Sequence, residues 1–65
     1  MSKQEAMDLA KLLVAQYSGQ ESFQLSLGDT ASFTLVHAAF TEVGCAVLAE
    51  PELLMLTVSP PPLSL

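Results

Sequence analysis

The chain predicts an α+β domain: an N-terminal helix packed on a small antiparallel sheet of three or four strands. Three observations predict it. Apolar residues recur at the helical period over 6–17, strand-length apolar or alternating runs occupy 23–27 and 45–58, and turn residues (Gly28-Asp29, Glu50-Pro51-Glu52) punctuate them. At 65 residues the sequence reads as one domain, 1–59, with a proline-rich C-terminal tail at 60–65.

The opening "SKQE" fits the S-x-x-E capping box, so a helix begins there. Ala6, Leu9, Ala10, Leu13, Val14 and Tyr17 form one stripe, with Gln4, Asp8, Lys11 and Gln16 mostly on the other side. Met7 and Leu12 fall off the stripe, which implies two contacts for this helix rather than one. Ser18-Gly19 supplies the left-handed stop. "FQLSL" then alternates as a strand with one wet face does, and Gly28-Asp29 turns the chain.

The segment "TASFTLVHAAFTEVG" supports two readings. As a strand over 32–37 it is rich in β-branched and aromatic residues; as a second helix at 31–43 it is capped by Asp29 or Thr30, repeats Phe33, Val36, Phe40 and Val43, and ends at Gly44. Thr34, Val36, Thr41 and Val43 are poor helix formers, so the strand is the reading preferred on propensity. The strands 45–49 and 53–58 make a hairpin, because Pro51 pre-sets a turn angle and its flanking glutamates stay wet. Leu54, Leu56 and Val58 point one way and Leu53, Met55 and Thr57 the other. Three prolines then end the sheet in an extended polyproline tail.

Composition narrows the function. The net charge is −5, and Lys3 and Lys11 are the only bases, so the chain cannot neutralise a run of phosphates or an anionic membrane surface. No apolar run reaches the ~18 residues of a membrane span, and Asp8 and Lys11 interrupt any signal-peptide core. With one free thiol and no export signal, the cytoplasm is the expected compartment. One Cys and one His fall short of a zinc site, and Glu50 with Glu52 is too small a set for a calcium cage, so no metal or cofactor is expected. His37 and Cys45 lack any recognised catalytic spacing. The expectation is a structural histidine and a core thiol rather than an enzyme.

Association is what the composition favours. Hydrophobic residues make up 51% of the chain and charged residues 14%, against about 25% charged in ordinary domains, so there is too little charge to cover a surface this large relative to its core. The hairpin offers two apolar faces, and one helix can cover only one. The expectation is therefore a protein-binding module, a homodimer by default or a hetero-oligomer, with Phe23, Leu25, Leu54, Leu56 and Val58 as partner-binding residues. Two other readings are an acidic inhibitor that imitates DNA toward a basic partner, using the scattered Asp29, Glu42, Glu50 and Glu52, and a groove ligand built on Pro60-Pro61-Pro62.

The leading "MDLAKLLVAQY", the strands "FQLSL" and "SFTLV", the hairpin "CAVLAEPELLMLTV" and the following prolines resemble the N-terminal half of a class I type III secretion chaperone. The likeness touches most of this chain and about half of that family's length, leaving out the helix through which those chaperones dimerise. It implies a dimer that holds an extended effector segment against apolar sheet surface, with Phe23, Leu25, Leu54 and Leu56 in contact.

Overall fold

Ser2 and Glu5 cap each other at the start of the first helix, α1 (Lys3–Tyr17). The Glu5 backbone N–H donates to Ser2 Oγ at 3.1 Å, and the Ser2 N–H donates to Glu5 Oε1 at 2.8 Å, which is the reciprocal box the sequence announces. The computed structural model describes residues 1–17 and 22–61; the Ser18-Gly19 stop and the tail from Pro62 onward lie outside the described residues. After α1 come strand β1 (Phe23–Ser26), helix α2 (Thr30–Glu42), strand β2 (Ala46–Glu50), a 3-10 turn (Pro51–Leu53) and strand β3 (Met55–Ser59).

The segment between Asp29 and Gly44 is a helix, and the strand preferred on propensity for 32–37 does not form. Packing and capping outweigh propensity here. As a strand, Phe33 and Val36 would face opposite sides; as a helix, Phe33, Val36 and Phe40 share one stripe, and all three are buried. Burying each gains about 1.5–3 kcal/mol, against no more than ~0.7 kcal/mol lost at each poor helix former. Both ends are also secured. At the start, the Ser32 N–H donates to Asp29 Oδ1 at 2.7 Å and its hydroxyl to Oδ2 at 3.2 Å. At the end, Gly44 sits at φ +94, its N–H donates to the Thr41 carbonyl, and the Cys45 N–H reaches back to the Phe40 carbonyl at 3.0 Å. This is a Schellman motif, with Cys45 and Phe40 as its buried apolar pair.

The sheet has the order β1-β3-β2, and both pairings are antiparallel. β1 and β2 therefore run parallel with β3 between them, and α2 carries the chain from one edge to the other as in a split β-α-β unit. The α+β class with a three-stranded antiparallel sheet is thus realised with two helices. The layer on the sheet is α2, and α1 packs chiefly on α2. Ala6 and Ala10, both fully buried, let the two helices approach closely.

Register fixes which side chains share a face. Leu25 pairs with Leu56, Ala49 with Leu56, and Phe23 and Val47 with Val58, so these six residues form the inner face. Leu56 and Val58 have no exposed surface, and the other four are half-buried against the same core. Phe23 ties the layers together. Its ring stacks on Tyr17 at 4.6 Å and meets Phe40 edge-on at 5.9 Å. The hairpin turn closes through Leu54 at φ +51, whose N–H donates to the Pro51 carbonyl and whose carbonyl accepts from the Leu27 N–H at 2.9 Å.

Candidate protein-interaction surface

The five residues expected to meet a partner divide by depth. Leu56 and Val58 are sealed beneath this chain's own helices, so they offer no contact surface. Phe23, Leu25 and Leu54 are half-buried and pack on the same core. The apolar face of the hairpin was expected to exceed what the chain can cover, and α2 is the cover. A strand at 32–37 would supply no such cover; the helix does.

What remains uncovered lies elsewhere. The outer face of the sheet carries Gln24 and Ser26 from β1, Met55, Thr57 and Ser59 from β3, and Ala46, Leu48 and Glu50 from β2. Gln24 Nε2 donates to Thr57 Oγ1 at 3.4 Å, a long cross-strand contact on this polar side. Leu48 stands out as 66% exposed on an edge strand, and Leu53 in the adjoining 3-10 turn is 60% exposed. The signal for Leu48 was in the sequence: it lies two residues before Glu50, so strand alternation puts it on the glutamate's wet side. Leu12, off the α1 stripe, is 63% exposed.

Among the described residues no further strand lies beside β1 or β2, and none of the three strands contains Lys, Arg or Pro. Those residues are the usual means of discouraging edge pairing. The sheet surface is acidic where it is charged at all, through Glu50, with Glu52 exposed in the turn.

A groove of about 60 Å³ runs between the helices, lined by Met7, Leu35, Ala38 and Ala39, with Lys3 and Glu42 beside them. It is far below the ~300 Å³ at which small-molecule pockets begin. His37 is half-buried with its ring 6.3 Å from that of Phe33, and its backbone carbonyl accepts the Thr41 hydroxyl at 3.0 Å. Cys45 is buried, and burial pushes its thiol pKa up, away from the reactive thiolate. Among the described residues no three of His, Cys, Asp and Glu cluster to hold a metal, and no helix is long and apolar enough to cross a membrane.

The fold and surface define a small α+β protein with two sheet edges free of basic residues and an exposed leucine on one of them. No family model matches the chain, and no curated protein or solved structure is significantly similar to it.

Proposed function

We propose that this chain is a non-enzymatic protein-binding module that associates through its sheet, first of all with a second copy of itself. The observation that carries the reading is Leu48, a largely exposed leucine on an edge strand without a positive charge or proline to repel a neighbour. Association would remove apolar surface from water at about 25 cal/mol per Å² and satisfy the edge strand's backbone groups in the same contact. The buried thiol fits a reducing, cytoplasmic setting.

Two variants of this reading use the same surface. A chaperone-like role would lay an extended segment of another protein along the sheet, as the likeness to secretion chaperones implies. An inhibitor of a basic protein would rely on the acidic groups, with the net charge of −5 as its support.

Sedimentation velocity over a wide concentration range tests the proposal. A mass that rises toward the dimer with concentration is expected. A monomer throughout that also fails to retain extended apolar or basic peptides would sink the protein-binding reading. Salt separates the variants, since binding to a basic partner weakens as ions screen it while apolar association persists.

A further inference from the structure

We infer that the free edge of β2 pairs antiparallel with the β2 edge of a second copy of this chain, in register about Leu48, joining the two sheets into one. This rests on the self-association proposed above and names its surface and geometry.

Two edges compete for the role, and they differ. β1 presents only Gln24 and Ser26 on its outward side, and its first residue, Phe23, is stacked on Tyr17. β2 presents Ala46, Leu48 and Glu50, with Leu48 two-thirds exposed. Only β2 offers a pairing partner a largely exposed apolar side chain.

Self-pairing also has to match faces, because residues directly opposite in an antiparallel pair point to the same side. Centring on Leu48 achieves this for the whole of Ala46–Glu50. Leu48 meets Leu48 of the other copy on the outer face, and Val47 meets Ala49 on the inner face. The strand's one charge, Glu50, falls opposite Ala46, which keeps the two carboxylates at opposite ends of the seam. A slip of one residue sets inner residues against outer ones. A slip of two keeps fewer pairs and sets Leu48 against either Glu50 or Ala46. Of the registers that match faces, the one centred on Leu48 pairs the whole strand, joins leucine to leucine and keeps the two carboxylates apart.

The seam is short, so it covers less than the ~1,200 Å² at which stable interfaces begin, and the dimer is weak. Each copy carries a net charge of −5, so the copies repel at long range and salt strengthens the pairing.

Sedimentation combined with amide hydrogen exchange tests the geometry. Expected are a dimer favoured by concentration and by salt, and protection at 46–50 that grows with concentration while that of β1 stays unchanged. Leu48→Lys, which opposes two ammonium groups across the axis, should raise the dimer Kd at least about tenfold. Ala46→Glu sets a carboxylate against Glu50 and should raise it about three- to tenfold; adding Glu50→Lys to that variant should restore pairing by creating two opposite-charge pairs. All three positions are exposed, so unchanged far-UV spectra and unfolding midpoints at dilution show that the fold is kept. A dimer indifferent to the charge swap, or protected at β1 instead, overturns the β2 seam and leaves self-association standing. A monomer at every concentration and salt overturns both.

Discussion

The two faces of β3 divide the molecule. Inward, Leu56 and Val58 have no exposed surface and anchor the core with Phe40 and Val36; outward, Met55, Thr57 and Ser59 stand half-exposed among Gln24, Ser26, Leu48 and Glu50, and among the described residues no helix or second sheet lies over them. One strand therefore serves the core on one side and a mixed, open surface on the other. The difference is made by α2, which covers only the inner side. The outer side does not need a second layer to be stable in water, because most of its residues are polar.

Truncation on the inner face should break the fold. Leu56→Ala leaves a cavity beneath α2 and should lower unfolding free energy by about 2–5 kcal/mol in urea titration, a large share of what a domain this small has. Val58→Ala follows the same logic at a smaller scale. If Leu56→Ala left the midpoint unchanged, the inner face would not be the core.

This division was only half legible in the sequence. The α1 capping box, its apolar stripe, the strand at Phe23 and the hairpin around Pro51 all carry local signals, and each forms within a residue or two of where the sequence puts it. The segment Thr30–Glu42 carries conflicting ones: β-branched and aromatic residues argue strand, while the spacing of Phe33, Val36 and Phe40 and the Asp29 and Gly44 caps argue helix. The tie is broken by tertiary burial, which propensity does not register. Once that helix is misread, the run "LLMLTV" looks apolar on two faces with no cover, and Leu56 and Val58 pass for partner contacts. The exposure of Leu48 is legible from its place two residues before Glu50, on the same side of the strand.

The cover itself can be weakened from its ends. Gly44 at φ +94 has open space around it, so Gly44→Ala meets no neighbour and its cost is backbone strain alone, about 1–2 kcal/mol. Chemical denaturation reads it. A smaller loss would mean that α2 ends differently in solution.

At the other end of α2, Asp29 gives a pH-dependent version of the same test. Its hydrogen bonds from Ser32 hold its pKa below the ordinary aspartate value, so the folded state binds its proton less tightly than the unfolded chain does. The cap thus adds stability fully above roughly pH 4, and that contribution fades as pH falls through the folded-state value. Glu5, held down by Ser2, behaves likewise at α1. Asp29→Asn keeps a side-chain acceptor but cannot titrate, so its unfolding midpoint should depend less on pH between 5 and 2 than that of the parent, at the order of magnitude of a surface cap. Parallel pH profiles for the two would remove Asp29 from the account.

The smallest effect belongs to the outer face, and it is the sharpest check on the division. Leu48→Thr replaces an exposed leucine with a β-branched residue suited to a strand, so at dilution it should shift unfolding free energy by less than about 0.5 kcal/mol, the usual range for surface changes. Leu56→Thr makes the same chemical change one strand over on the inner side, where the hydroxyl would be buried and a methyl-sized void opened. Its loss should be several times larger. Two leucines in neighbouring strands would then differ in role only because α2 lies over one and not the other. Equal losses from both substitutions would mean that Leu48 is covered in solution by something other than this chain's helices, even in dilute protein, and the outer face would have to be counted as core.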